Sequence, residues 1–357
     1  MVAVRVFAFV AGVVIAGGTA LSAVRSFVVP RALPVLLSRA VFLAVRRLFL
    51  LTMSKHASYE RVDRRFALYA PVALLSLVAT WLTVMLFAYA LMYWALGDDP
   101  WYAIEVSGSS LLTLGFDHPT SRAGTLLSFT EGALGIGLLA LLITYLPTIY
   151  GAFQRREALV AVLAVRAGTP PWAITMLRRY HAIGLSERSD ELWQQAEAWF
   201  ADLEETHTSL SALVYFRSPQ PPLHWVPAAG ALLDAAALSM AAMEGPRQPN
   251  AALSVRSGFL ALRRIADVLG IPYDPDPRPD DPISITREEF DAGLDELVAV
   301  GASVKADRDQ AWRDFAGWRV NYDSVLLALA RRTFAPPAPW TSDREPVASG
   351  TRSFRRQ

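Results

Sequence analysis

The sequence contains no cysteine among its 357 residues, and charged residues and histidine are both scarce. The absence of cysteine excludes disulfide bonds, thiolate metal sites and thiol catalysis. Charged residues make up 19% of the chain and hydrophobic residues 53%, and the mean hydropathy is +0.29. Such a chain is too apolar for an ordinary soluble protein and too charged to lie wholly inside a membrane. We therefore expect one membrane part and one soluble part.

Recognisable sites for nucleotides and metals are also missing. The glycine-rich stretch 132–137 does not follow a predicted strand, so it does not indicate a dinucleotide-binding loop. The possible metal ligands of the C-terminal half match no metal-binding spacing; they are His181, His207, His224, Glu204, Glu205 and Asp234. We expect no metal, no cofactor and no enzymatic activity. The near-neutral net charge gives no indication of nucleic acid binding.

Three long stretches that are almost free of charge predict membrane spans. Residues 6–24 and 66–96 contain no charged residue, and residues 123–153 contain only Glu131. About 20 apolar residues suffice to cross the hydrocarbon of a bilayer. Residues 1–24 have an alternative interpretation as a cleaved signal peptide, since Gly18-Thr19-Ala20 resembles a small-residue cleavage site.

Basic residues predict the orientation of these spans. Residues 25–65 contain nine lysines and arginines against two acids, and Arg155 and Arg156 follow the third span. Because basic loops stay in the cytoplasm, we expect both regions there, with the N-terminus outside and the C-terminal part cytoplasmic. This is the topology of a multi-pass plasma membrane protein. Cleavage of a signal peptide would reverse it.

The basic segment contains a further apolar stretch, residues 34–53. It carries Arg39, Arg46 and Arg47, which fall on or beside one helical face. This pattern favours a helix lying in the cytoplasmic interface over a fourth span.

The connection between the second and third spans carries the most informative motif. Residues 101–117 read WYAIEVSGSSLLTLGFD and end in Thr113-Leu114-Gly115-Phe116 and Asp117. A short, half-apolar helix followed by T-x-G-aromatic between two spans is typical of a re-entrant pore loop. Such a loop lines an ion pathway with backbone carbonyls.

Each residue of this motif has an expected role. Thr113 offers its carbonyl and its hydroxyl to the ion, while Leu114 and Phe116 point outward as packing. Gly115 supplies the positive φ that aims the carbonyls at the axis. Asp117 places a carboxylate at the outer mouth, where Asp98 and Asp99 also raise the local cation concentration. One chain supplies only a fraction of an oxygen ring, so we expect a homotetramer.

The third span contains further residues of interest. Gly132, Gly135 and Gly137 indicate either close helix packing or a gating hinge, and Pro147 should kink the helix. Glu131 is expected to face protein and to have a hydrogen-bonding partner behind the loop, with either a structural or a proton-sensing role.

The remaining sequence predicts helices, so the expected fold class is all-α. Helix signals in the C-terminal part include the pair Thr286 and Glu289 and a terminating Gly270, and residues 307–332 are predicted as one helix. The predicted organisation is an N-terminal span (1–25), a basic segment (26–65), a pore domain (66–153), a cytoplasmic helical domain (154–334) and a disordered tail (335–357).

The order span, short helix, TLGF, span resembles the pore of two-transmembrane potassium channels, as in bacterial potassium channel family proteins. Other segments are similar to one bacterial subfamily of these channels: residues 27–31 (FVVPR), 145–150 (YLPTIY), 155–157 (RRE), 165–168 (VRAG) and 215–218 (YFRS). The resemblance implies conduction of potassium or another monovalent cation. It also implies a helical domain that serves assembly or gating.

The chain departs from the T-x-G-[YF]-G-D pattern of that family at one position. Asp117 stands where the second glycine is expected. Aspartate tolerates a left-handed backbone better than most residues, so the loop can still close there. Cation conduction is therefore a safer expectation than strict potassium selectivity. The alternative is a non-conducting membrane receptor or scaffold whose helical domain binds partners.

Overall fold

A computed structural model describes residues 1–27, 36–52 and 59–345. In these residues the regular elements are thirteen α-helices and two 3-10 turns. The same residues also contain one isolated antiparallel bridge, between Met243 and Val304. The expected all-α class is confirmed for this part of the chain. The subfamily-like segment 27–31 lies outside the described residues except for Phe27.

The chain divides into two compact units. The N-terminal unit comprises residues 1–57 and 65–151, and the C-terminal unit comprises residues 58–64 and 152–357. The N-terminal unit contains α1 (Val2–Phe27), α2 (Leu36–Leu51), α4 (Tyr69–Leu96), α5 (Pro100–Leu111) and the first part of α6 (Arg122–Ala167). Helix α3 (Tyr59–Phe66) precedes α4.

Three helical segments of the described chain are long and apolar enough to cross a membrane. They are Val2–Phe27, Tyr59–Leu96 and Arg122–Ala167. These segments contain the three stretches that the sequence predicts as spans, so the protein has the composition of a membrane protein.

Helix α1 packs against α4 through a stripe of small residues. Its buried positions recur every three or four residues up to the adjacent pair Ser22 and Ala23, and they are Ala8, Gly12, Ala16, Thr19, Ser22 and Ala23. A Cβ atom on Gly12 would lie 2.6 Å from the carbonyl oxygen of Ala88. Further along, Trp81 donates a hydrogen bond from Nε1 to Ser22 Oγ at 3.2 Å. Small side chains therefore allow the two antiparallel backbones to approach closely.

The predicted interfacial helix is present as α2. Val45 is buried, and Tyr69 of α4 donates a hydrogen bond to the carbonyl of Phe42 at 3.2 Å. Helix α2 therefore packs against the start of α4. Its location in the membrane interface stays a prediction.

Helix α6 is longer than the third span requires. It continues through Pro147 to Ala167, so Pro147 does not end the helix. Residues 152–167 are rich in alanine and arginine, which favour helix, and this explains the continuation. The helix passes from the N-terminal unit to the C-terminal unit at residues 151–152.

The C-terminal unit is a helical bundle around a buried central helix. Its helices are α7 (Ala173–Ala182), α8 (Ser189–Ser209), α9 (Trp225–Ala241), α10 (Pro249–Leu269), α11 (Arg287–Ala299), α12 (Arg308–Arg319) and α13 (Asp323–Thr333). Helix α9 is buried along almost its whole length. Two predicted helix signals are confirmed, because Thr286 and Glu289 form a capping box and Gly270 ends α10 with a left-handed φ of 67°.

Two expectations for the C-terminal unit are corrected. The sequence predicts one helix from 307 to 332, but residues 320–322 separate α12 from α13. Asn321 Nδ2 donates to the carbonyl of Gly317 at 3.0 Å and so gives a hydrogen-bond partner to a carbonyl group in the last turn of α12. The disordered tail was expected to start at 335, yet Trp340 is buried and its carbonyl accepts a hydrogen bond from Arg319 at 2.6 Å. Residues 346–357 lie outside the described residues.

Candidate functional site

The candidate site is the loop formed by residues 112–117, which follows α5. Helix α5 begins at Pro100 with Asp99 as its N-cap, and Asp99 Oδ1 accepts a hydrogen bond from the Trp101 amide at 2.9 Å. Asp98 Oδ1 accepts from Thr120 Oγ1 at 2.5 Å. Asp99 therefore caps the start of α5, and Asp98, the residue before this cap, is joined to Thr120, which follows the loop.

One of the buried serines of α5, Ser109, organises the loop. The carbonyl oxygen of Ser109 accepts from the amides of Leu114 (2.8 Å) and Gly115 (3.5 Å). Its side-chain oxygen accepts from the amides of Phe116 (3.0 Å) and Asp117 (3.1 Å). Four consecutive amide groups thus point toward Ser109.

This arrangement fixes the direction of four carbonyls. In a trans peptide, the carbonyl of one residue points away from the amide N–H of the next. The carbonyls of Thr113, Leu114, Gly115 and Phe116 therefore point away from Ser109, in a row on the opposite side of the loop. Thr113 and Gly115 make this possible, because both have left-handed φ angles, of 55° and 73°.

The positive φ expected for Gly115 is confirmed, but the second left-handed residue is not the one considered from the sequence. Thr113 is left-handed, whereas Asp117 is absent from the positive-φ residues of the described chain. Ser109 instead contacts both backbone groups of Asp117, because its Oγ accepts from the Asp117 amide and lies 3.3 Å from the Asp117 carbonyl oxygen. A serine side chain therefore stabilises the position where the family pattern has a glycine.

Two apolar side chains of the loop are exposed in the isolated chain. The side chains of Leu114 and Phe116 are 60% and 62% exposed. A pocket adjoins the loop and is lined by Ser109, Ser110, Thr113, Gly115, Asp117 and Ser128, among others. Beside it, Tyr102 donates from its hydroxyl to the carbonyl of His118 at 2.7 Å.

Glu131 of α6 contacts α5 and has the hydrogen-bonding partners that its burial requires. It is fully buried. Its Oε1 lies 2.5 Å from Ser107 Oγ of α5, and its Oε2 accepts from the Tyr93 hydroxyl of α4 at 3.0 Å. Ser107 Oγ also lies 2.9 Å from the carbonyl oxygen of Leu86. Glu131 therefore links α6 to both α4 and α5.

The three glycines of α6 differ in their surroundings. A Cβ atom on Gly135 would lie 2.0 Å from the carbonyl oxygen of Leu111, and one on Gly132 would lie 3.4 Å from that of Ser110. Nothing lies within 4 Å of such an atom on Gly137. Close packing against the end of α5 therefore accounts for Gly135, while Gly137 is available for a hinge.

The three buried residues among the possible ligands of the C-terminal unit have other partners. Asp234 pairs with Arg319 at 2.6 Å and accepts from Tyr322 at 2.8 Å. His207 Nε2 lies 3.3 Å from Arg156 Nη1, and His224 Nδ1 accepts from the Val226 amide at 3.1 Å. The described residues contain no group of three or more metal-ligating side chains.

Both buried histidines are strongly perturbed. Burial and the Arg156 charge hold the pKa of His207 well below its ordinary value, and burial, followed by the charges of Arg217 and Arg156, does the same for His224. Both side chains are therefore neutral near pH 7, and they contribute packing and hydrogen bonds.

Sequence reasoning missed Ser107 and Ser109. The signal was present as a cluster of serines in a mostly apolar helix, SGSS at 107–110. Polar side chains on such a helix require partners, and here the partners are the loop amides and Glu131.

Comparisons with protein family models, with curated proteins and with solved structures find no match for this chain. The function must therefore be argued from its own residues.

Proposed function

We propose that the protein is a homotetrameric cation channel and that ions pass along the carbonyl row of residues 113–116. The observation that carries the proposal is the set of four consecutive amides directed at Ser109, which leaves four carbonyl oxygens on the other side of the loop. Carbonyl oxygens replace the hydration shell of a permeating cation in known selectivity filters.

A single row of carbonyls cannot surround an ion, so the proposal requires further copies of the chain. Four copies around an axis would each contribute one row and so close the oxygen rings. The exposure of Leu114 and Phe116 fits this assembly, because neighbouring copies would bury side chains that an isolated chain leaves open.

The proposal also includes a location and a role for the C-terminal unit. The protein would be a multi-pass plasma membrane protein with the N-terminus outside and the C-terminal unit in the cytoplasm, as its basic residues indicate. Its partners would be further copies of itself and the lipid bilayer. The C-terminal unit would serve assembly or gating.

Potassium is the expected permeant ion, and Asp117 is the residue that bears most directly on selectivity. Its amide is fixed by Ser109 Oγ, so the loop keeps its fourth amide directed at Ser109 without a second glycine. Its carboxylate would add negative charge at the outer mouth, where it attracts monovalent and divalent cations alike.

A reconstitution experiment tests the proposal. Full-length protein, shown by cross-linking to be a tetramer, is inserted into a planar bilayer with potassium on one side and sodium on the other. We expect a current with a reversal potential displaced toward the potassium equilibrium potential. Absence of current from verified tetramers would contradict a channel and leave the non-conducting receptor or scaffold.

A further inference from the structure

If Glu131 is ionised, the Ser107 hydroxyl has two acceptor oxygens beside it but only one hydrogen to donate. The Ser107 hydroxyl carries a single hydrogen. It lies within hydrogen-bond distance of two acceptors, the carbonyl oxygen of Leu86 at 2.9 Å and Glu131 Oε1 at 2.5 Å. If Glu131 were ionised, one of these two short oxygen–oxygen contacts would lack a hydrogen and would be repulsive.

A protonated Glu131 resolves this conflict. Its own hydrogen is donated to Ser107 Oγ, which leaves the serine hydrogen free for the carbonyl of Leu86. The Tyr93 hydroxyl donates to Glu131 Oε2 at 3.0 Å. Every hydrogen in the chain of contacts then has one acceptor, and no close contact between oxygens is left without a hydrogen.

The charges around Glu131 favour the same state. The sequences of α4 and α5 contain no basic residue, and the titratable groups of α4 on this side are Tyr93 and Tyr89, which bonds Thr130 at 3.0 Å. The one acid of α5, Glu105, is two residues before Ser107 and so points to another side of the helix. A buried carboxyl group without a cationic partner takes up a proton instead of keeping its charge.

We propose that Glu131 is a protonated carboxylic acid that positions α5 through Ser107, and that loss of this proton strongly reduces conduction. This inference rests on the proposed channel function. Ser107 is two residues before Ser109, the residue that organises the carbonyl row, so a displacement of α5 at Ser107 would also displace Ser109. Glu131 is a positioning residue in this account, because it acts through α5 and has no contact with the ion.

The test compares the wild type with Glu131→Gln, which keeps one acceptor for Tyr93 and one donor for Ser107 and cannot be ionised. Tetramers of both are reconstituted in liposomes, and potassium flux is measured at about pH 7 and about pH 10. We expect wild-type flux to fall about tenfold at the higher pH and the flux of the variant to change by less than about twofold.

An infrared measurement separates this inference from the channel function. The difference spectrum between wild type and Glu131→Gln at about pH 7 should contain the carbonyl band of a protonated carboxylic acid. Absence of that band, or equal pH profiles of the two proteins, would overturn the inference. A band without flux at either pH would support the protonated Glu131 and contradict the channel function instead.

Discussion

In the N-terminal unit the buried acid Glu131 is bonded to two hydroxyl groups, whereas in the C-terminal unit the buried acid Asp234 is bonded to a guanidinium. Glu131 contacts Ser107 and Tyr93, and Asp234 contacts Arg319 through both carboxylate oxygens, at 2.6 and 2.7 Å. Hydroxyl partners suit a neutral acid, and a guanidinium suits an ionised one. The two units therefore contain buried carboxyl groups in different charge states, neutral for Glu131 and ionised for Asp234.

This difference predicts that the two units respond very differently when a partner is removed. Removal of a hydroxyl beside a neutral acid loses one hydrogen bond. Removal of a guanidinium leaves an uncompensated buried charge, which is far more costly. The predictions below test this comparison, from the largest expected effect to the smallest.

Replacement of Arg319 should have the largest effect. Arg319→Met leaves Asp234 and Asp323 buried without their cation and should destabilise the C-terminal unit by about 3–5 kcal/mol. The matched change in the N-terminal unit, Tyr93→Phe, should cost only about 1 kcal/mol. Thermal unfolding of the full-length protein in detergent measures both.

A second replacement checks the cause of that loss. Adding Asp234→Asn to Arg319→Met removes one of the stranded charges and should restore part of the lost stability. If Tyr93→Phe destabilises the protein as much as Arg319→Met, the proposed difference in charge state is wrong.

The glycines of α6 offer a graded series within the N-terminal unit. Gly135→Ala would bring a Cβ atom to 2.0 Å from the Leu111 carbonyl and should cost about 1–3 kcal/mol. Gly132→Ala meets its nearest atom at 3.4 Å and should cost less, and Gly137→Ala should leave stability nearly unchanged. Thermal unfolding gives the order of the three variants. Equal destabilisation by all three would contradict the packing of Gly135 against α5.

The C-terminal unit should lose stability in mild acid. His207 and His224 have pKa values depressed far below the ordinary 6.5, so below that pH the unfolded chain binds protons that the folded unit does not. Their contribution to stability is present above about pH 6.5 and is lost as the pH falls, by up to about 1.4 kcal/mol per pH unit for each histidine.

Melting temperatures of the full-length protein measure this effect between about pH 7.5 and about pH 5.5. His224→Asn keeps an acceptor at the start of α9 and should remove part of the pH dependence. The same pH dependence in wild type and variant would show that His224 is not the group that titrates.

Local chemistry explains how much of the molecule the sequence could predict. Long uncharged stretches predicted the three helices that can cross a membrane, and the capping residues Thr286 and Glu289 predicted the start of α11. The positive φ of Gly115 could also be predicted, because T-x-G-aromatic requires it. Each of these features depends on residues that are close in sequence.

The features that the sequence did not reveal depend on tertiary contacts. Arg319 and Asp234 are far apart in sequence, and no local pattern joins them. The left-handed φ of Thr113 follows from the position of Ser109 on α5. Trp340 is buried against the bundle, so the packed part of the chain extends beyond residue 335. Such contacts appear only when the helices have packed.

The central claim is that the carbonyl row of residues 113–116 conducts cations, and one matched pair of variants tests it most directly. Gly115→Ala places a Cβ atom at a φ of 73°, which costs about 1–2 kcal/mol in each copy, whereas Gly17→Ala lies in α1 with nothing within 4 Å. Potassium flux into liposomes should be lost in Gly115→Ala tetramers and stay within about twofold of the wild type in Gly17→Ala tetramers. Wild-type flux that persists unchanged in Gly115→Ala would contradict conduction through this loop.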